Sequence, residues 1–494
     1  MEKIDSPISR RAARESAAST GSPLVARIRA IVDAHPRAVI GGVGATAFAL
    51  ASTCALLIGV SIGGAQPAVR AQVAAVDEAP VERAVPAAPP AARPVRTCSV
   101  SSLAADPRLG TLSGTVVDAL SGEVLYSRGG SDPVAQASVT KVLTATAALT
   151  TLGPDRRLST KVFEGSQPGS IVLVGGGDPT LTRVTSGESF SQGAPKLSEL
   201  ASETVAAYAS AHPGDAITHV YLDSSYWDPN DNWLASWSED NRALGFQSRV
   251  TALQIDGDRD DPLERISPRS NDPVTRAGQA FAQALADATG TAPPSIEVGA
   301  AASDDQLAEV QSQPVSTLVG QMLESSDGAL AESLARATSI EMGTGGTSAS
   351  VGQAVPAALA EMGMDVAGVA IADGSGLSAE NAIPPLFVST LMSKVREGNN
   401  DLQFIYNSLS VAGVSGGLVD RFTGPNEIAR GKVWAKNGHI SSAYSMAGLV
   451  EASDEVLLSF SFVATADGIG EGALEALDSL ITGVYSCGER LARV

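Results

Sequence analysis

Basic side chains are scarce in this 494-residue chain: 34 Lys and Arg stand against 54 Asp and Glu, a formal net charge of −20. Phosphate recognition needs a basic stripe, so the acidic balance argues against a nucleic-acid partner. Histidines number four, and His35, His212 and His219 show no metal-ligand spacing with one another, so no zinc site is expected. No cofactor motif is found either. Gly175-Gly176-Gly177-Asp178-Pro179 lacks the Gly-Lys-Ser/Thr that grips phosphates, and it reads as a tight turn. Cysteines number three, and Cys54 lies in an apolar run, which leaves Cys98 and Cys487 at the two ends of the remaining body. Outside a membrane such thiols oxidise, and domain ends commonly lie close together, so a Cys98–Cys487 disulfide is expected over two separate thiols.

What is present is a chain of unequal parts. A composition that is 44% hydrophobic and 18% charged is that of a globular protein. Residues 1–37 hold seven Lys and Arg against four acids. Ala38 to Val69 then carries no charged side chain, and its apolar stretch is long enough to cross a bilayer. The positive-inside rule makes 1–37 a cytoplasmic tail and 38–64 a transmembrane anchor with the body outside the cell. A cleaved signal peptide ending near Gly63-Gly64-Ala65 is the rival reading, and the long preceding segment and long apolar run speak against it. Residues 65–97 are rich in Ala and Pro and read as an extended linker.

The body opens with two β-prone runs, 114–118 and 123–127, around a Gly-containing turn: a hairpin. Asp132-Pro133 then precedes an apolar helix that ends at Gly153-Pro154. Ser138 and Lys141 sit at its mouth, three residues apart and so on one helical face. A serine is a poor nucleophile until a base takes its proton, and the amine is within reach to do so. From 161 to 300 strands alternate with helices, and Trp227, Trp233 and Trp237 read as packing of an irregular loop. Beyond 300, 306–323 and 329–341 read as helices broken by Ser325-Ser326-Asp327-Gly328. Asp373 and Ser375 read as turn-holding residues near a site. Lys436-Asn437-Gly438 lies on a strand, two more strands follow, and a helix over 472–484 closes the chain. The class is therefore α+β, an antiparallel sheet flanked by helices: 98–160 with 301–494 form one domain, into which 161–300 is inserted.

Ser138-x-x-Lys141, Ser326-Asp327-Gly328 and Lys436-Asn437-Gly438, in this order and in these settings, follow the Ser-x-x-Lys, Ser-Asp-Asn, Lys-Thr-Gly signature of penicillin-binding proteins and class A β-lactamases. With Gly175-Gly176-Gly177-Asp178-Pro179, Asp373-Gly374-Ser375-Gly376 and Ala412-Gly413-Val414, the chain resembles the D-alanyl-D-alanine carboxypeptidase/endopeptidase family of class C low-molecular-mass penicillin-binding proteins, the peptidase S13 type. The resemblance implies the DD-peptidase/β-lactamase-like transpeptidase fold and serine-type hydrolysis of peptidoglycan stem peptides through an acyl-serine, with β-lactams as covalent inhibitors. It implies that Ser138 attacks, Lys141 is the general base, Ser326 relays the proton to the leaving amine, and Lys436 supplies positive potential for the substrate carboxylate. The backbone N–H groups of Ser138 and His439 would form the oxyanion hole. Two departures stand out. Gly328 replaces an asparagine that would hold the lysine and the substrate carbonyl, and Asn437 replaces a threonine, with His439 following Gly438 where a hydroxyl residue is usual. These four positions, 328 and 437 to 439, are the expected substrate contacts. The departures also motivate a second reading, a catalytically impaired homologue that serves as a peptidoglycan-binding or scaffold protein.

Overall fold

The computed structural model describes residues 95–299 and 304–492. The expected tail, the expected transmembrane anchor and nearly all of the linker lie outside the described residues. Among the described residues no helix is long and apolar enough to cross a membrane.

Two sheets organise the body. The first has six strands in the order β2-β1-β11-β10-β9-β8, every neighbouring pair antiparallel. Its strands are β1 (Thr111–Asp118), β2 (Val124–Arg128), β8 (Ser410–Val411), β9 (Val433–Ile440), β10 (Ala443–Glu451) and β11 (Leu457–Thr465). The chain thus enters at β1 and β2 and completes the sheet some 280 residues later, pairing β1 along its whole length with β11. Central strands read as apolar runs because both faces are covered. One face packs on α7 (Pro385–Glu397), and the helices α1 (Thr140–Leu152), α4 (Val315–Ser325), α5 (Gly328–Glu341) and α6 (Ser348–Glu361) share with it a core that includes Val142, Leu143, Leu330, Leu334, Leu391 and Ala447 of β10. The other face packs on the last helix, α8 (Gly472–Cys487), through Phe460, Phe462, Leu477 and Ile481. Cys98 and Cys487 are joined by a disulfide with their Cα atoms 5.3 Å apart.

The second sheet is built mostly from the inserted stretch, in the order β6-β5-β4-β3-β7: β3 (Ser159–Glu164), β4 (Ser170–Gly175), β5 (His219–Asp223), β6 (Ser295–Val298) and β7 (Gln306–Gln311). It is mixed, with β4, β5 and β6 parallel and β3 antiparallel to both its neighbours. Helices α2 (Leu197–Ala211) and α3 (Pro273–Thr289) cover it, burying Leu197, Leu200, Phe281 and Leu285 against Ile171, Leu173 and Val220.

One expectation is corrected. Residues 306–323 read as a helix from the sequence, but the first part is strand β7 and only Val315–Ser325 is helical. Ala308 and Val310 are buried and alternate with more exposed Leu307, Glu309 and Gln311, a period of two that the short run conceals. Pro314 then separates the elements. The second sheet therefore closes through residues that follow 300.

Candidate active site

Ser138 lies in a single 3-10 turn, Ala137–Val139, that runs into α1 at Thr140. It therefore stands immediately before the α-helix rather than in its first turn. Buried Ala137 has φ 46°, a left-handed conformation that costs energy for a residue with a Cβ and that concentrates at functional sites. From the next turn Lys141 reaches back, its Nζ 3.2 Å from Ser138 Oγ and 2.6 Å from the carbonyl oxygen of Ser375. Burial pulls the Lys141 ammonium from an ordinary 10.5 down to about 8, against the opposing charges of Asp373, Glu332 and Asp327.

The Ser375 carbonyl is held by a small network. Asp373 accepts from the backbone N–H groups of Gly376 and Ser378 at 2.6 Å, from Trp237 Nε1 at 2.7 Å and from Asn381 Nδ2 at 3.0 Å. The Ser375 N–H donates to buried Glu332 at 2.7 Å. Asp373 thus holds the turn, and Ser375 acts through its carbonyl. Trp237 ties the inserted stretch to this turn and meets Trp233 edge to face, so the aromatic loop is packing.

Ser326 ends α4 in a left-handed conformation, φ 59°. It faces the same cavity as Ser138 and Lys141, and among the described residues its hydroxyl makes no hydrogen bond to either. Asp327 caps α5, accepting from the Leu330 N–H at 3.0 Å, and pairs with Arg259 at 2.6 Å with both side chains nearly fully buried. Burial alone would raise its pKa, but the guanidinium groups of Arg259 and Arg269 hold its carboxyl well below the usual carboxylate range. Gly328 is the first residue of α5.

Strand β9 forms the third wall. Its outer neighbour β8 pairs only with Trp434 and Ala435, so from Lys436 onward β9 is a free edge. The Val433 carbonyl accepts from the Ala412 N–H on that edge. Strand alternation then turns the backbone N–H and C=O groups of Asn437 and His439 the same way. Gly438 brings this edge against the nucleophile: a Cβ there would lie 2.7 Å from the Ser138 nitrogen and 2.5 Å from Ser445 Oγ. Lys436 is buried, its Nζ donating to the Asn437 carbonyl at 2.8 Å. Burial, the charge of Lys141 and that of Arg265 bring its ammonium down to about 7. The pleat sends the Asn437 and His439 side chains to the opposite face from Lys436. There the His439 ring stacks on Tyr444, centroids 4.1 Å apart, and burial lowers its pKa.

The three walls enclose a cavity of about 620 Å³. Ser138, Lys141, Ser326, Gly328, Asn437, Gly438 and His439 border it, whereas Lys436 lies behind them. Side chains absent from the sequence reading complete it: Gln247, Arg259, Arg265 and Arg269, all from the inserted stretch. For the three arginines a signal existed in the crowding of Arg259, Arg265, Arg269 and Arg276 within an otherwise acidic body; Gln247 had none. Among the described residues no group of three or more His, Cys, Asp or Glu is placed to hold a metal ion.

In chemical terms the arrangement is a serine hydroxyl, an amine poised to take its proton, and backbone N–H groups at a strand edge beside it. This is equipment for acyl transfer without histidine. The sequence profile of the D-Ala-D-Ala carboxypeptidase 3 (S13) family matches residues 97–263 and 259–482. A carboxypeptidase of Mycobacterium tuberculosis is 32% identical over 414 residues, 82% of this chain and 87% of that one. The carboxypeptidase DacB of Mycolicibacterium smegmatis is 32% identical over 416 residues, 83% and 87% of the two chains. Among solved structures, penicillin binding protein 4 (dacB) of Haemophilus influenzae superposes with a TM-score of 0.64 at 19% identity, covering 78% of this chain and 98% of that one, and shares its fold. That protein has also been solved with a β-lactam bound, matching at a TM-score of 0.56, 19% identity and the same coverage.

Proposed function

This chain belongs to the D-Ala-D-Ala carboxypeptidase 3 (S13) family, and we propose that it is a serine-type, penicillin-binding carboxypeptidase that removes the terminal D-alanine of peptidoglycan stem peptides. The observation that carries the chemistry is the 3.2 Å contact between Lys141 Nζ and Ser138 Oγ, made by an amine whose burial leaves it half neutral near pH 8. Neutral Lys141 takes the hydroxyl proton as Ser138 Oγ bonds to the carbonyl carbon between the two D-alanines. The carbonyl oxygen becomes an anion opposite the N–H groups of Ser138 and His439, the latter at the free edge of β9. Collapse breaks the C–N bond, and the departing amine receives its proton through Ser326, which borders the cavity. Water then hydrolyses the acyl-serine with Lys141 as base. Arg265, which borders the cavity, contributes positive potential for the terminal carboxylate, and Lys436 adds to it only below about pH 7, where its ammonium is charged. The apolar run at 38–64 would anchor the chain in the membrane with this body outside the cell.

The test is covalent labelling of the purified full-length protein by fluorescent penicillin, with Ser138→Ala as control, together with D-alanine release from a stem pentapeptide. Label lost in the control and D-alanine released support the reading. A folded protein that penicillin does not acylate removes it in favour of the impaired homologue that Gly328 and Asn437 suggest.

A further inference from the structure

The cavity is more positive than the chain that builds it. Four cationic side chains border it, Lys141, Arg259, Arg265 and Arg269, against two acids, Asp240 and Asp327, in a protein whose net charge is −20. Three of the four cations are already engaged. Lys141 holds Ser138 and the Ser375 carbonyl. Arg259 is paired with Asp327 at 2.6 Å and almost wholly buried. Arg269 is 5% exposed, and its guanidinium donates to the carbonyls of Gly245 and Gly257. Arg265 differs from them. It is exposed, no carboxylate lies within 4.0 Å of it among the described residues, and its one side-chain hydrogen bond runs from Nη1 to the Ser325 carbonyl at 3.2 Å.

That bond fixes where the guanidinium stands. Ser325 precedes Ser326, which borders the same cavity and gives the leaving amine its proton in the mechanism above. In a terminal D-alanine the carboxylate sits on the carbon that carries this amine, so the side chain that binds it must stand close to Ser326. The third wall offers little charge for the purpose. Asn437 is neutral, the His439 ring is stacked on Tyr444 with its pKa lowered by burial, and Lys436 has its Nζ turned to the Asn437 carbonyl behind the lining. A guanidinium is always charged, and its fork of N–H groups matches a carboxylate.

We infer that Arg265 is the specificity-determining residue on the leaving-group side: its remaining N–H groups pair with the carboxylate beside the leaving amine. The enzyme thereby selects peptides whose leaving residue ends in a free α-carboxylate, against those in which it is amidated or absent. The assignment rests on the carboxypeptidase reading above and adds this selection to it.

The experiment compares two substrates of the full-length protein, acyl-D-alanyl-D-alanine and acyl-D-alanyl-D-alaninamide. The amide keeps the scissile bond and the shape and removes the negative charge. Rates are read at about pH 9, where Lys436, with its pKa brought down to about 7, carries little charge. Wild type is expected to favour the carboxylate substrate in kcat/KM by roughly ten- to a hundred-fold, because the bound peptide shuts the charged pair away from water. Arg265→Ala should bring that ratio to within about threefold of unity, and Arg265→Lys, which keeps the charge without the fork, should retain part of it. Each ratio is taken within one variant, so partly inactive protein does not affect it. Equal losses on both substrates with a lowered melting temperature would overturn the proposal and leave Arg265 as a cap on the C-terminus of α4. A preference that survives Arg265→Ala, or a wild type that takes both substrates equally well, would overturn it too and leave the carboxypeptidase reading standing. A wild type that turns over neither substrate refutes that reading itself and takes the proposal with it.

Discussion

Adding a single methyl group at Gly438 tests the site where its geometry is tightest. The Cβ of Gly438→Ala would sit 2.7 Å from the backbone nitrogen of Ser138, 2.5 Å from Ser445 Oγ and 2.9 Å from Ala137 Cβ. Ordinary van der Waals contact begins near 3.4 Å, so the Ser138 nitrogen and β9 must part by about 0.7 Å, and displacements approaching 1 Å at reacting groups cost on the order of a hundred-fold in rate. Neither partner yields easily. Gly438 pairs with Ser445 in the register of β9 and β10, Ser445 Oγ donates to the Gln136 carbonyl at 2.6 Å, and Ala137 is fully buried. Overpacking of this kind costs about 1–3 kcal/mol of stability, while loss of one oxyanion donor costs roughly a hundred- to a thousand-fold. Gly438→Ala should therefore remain folded and lose at least about a hundred-fold in the second-order rate of acylation by penicillin, measured by stopped time-course labelling beside a thermal melt. A folded variant that acylates within threefold of wild type would show that β9 does not position its N–H groups for Ser138.

Four further outcomes are expected. Because burial brings Lys141 to about 8, acylation should rise close to tenfold per pH unit below that value and flatten above it; an inflection near the ordinary 10.5 would deny Lys141 its place as the base. Asp327→Ala breaks a buried ion pair with Arg259 and uncaps α5, so a loss of about 3–5 kcal/mol is expected by denaturant titration, and a change below 1 kcal/mol would argue against the pair's structural weight. Reducing Cys98–Cys487 reopens a loop whose ends are 389 residues apart in sequence and should lower stability by about 2–5 kcal/mol; an unchanged calorimetric melt with reductant would contradict this. Trp237→Phe removes the 2.7 Å bond to Asp373 and should slow acylation severalfold through the turn that presents the Ser375 carbonyl, whereas an effect on melting alone would confine Trp237 to packing.

The first sheet was legible because its strands are long, apolar and bounded by turns; β1, β2, β9, β10 and β11 all lie where the runs place them. The misread segment was short. Six residues of β7 hold only two buried side chains, and without the partner strand β3 their alternation is indistinguishable from the polar start of a helix. Asn437 and His439 border the cavity as expected of substrate contacts, but the strand sends their side chains to the opposite face from Lys436, and the His439 ring stacks on Tyr444. Arg259 stands in a run of crowded arginines and Gln247 in no marked run, and nothing local ties either to Ser138, more than a hundred positions earlier.

Sequence alone determined what rests on local spacing. A spacing of three positions from Ser138 to Lys141 puts amine and hydroxyl within one turn. The tertiary structure decided everything that depends on what surrounds the pair: the burial that makes Lys141 a usable base, the closeness of β9 that only glycine at 438 permits, and the arrival of Gln247 in the space left by Gly328. Desolvation and close packing are properties of several distant segments at once, whereas helical periodicity belongs to a single one.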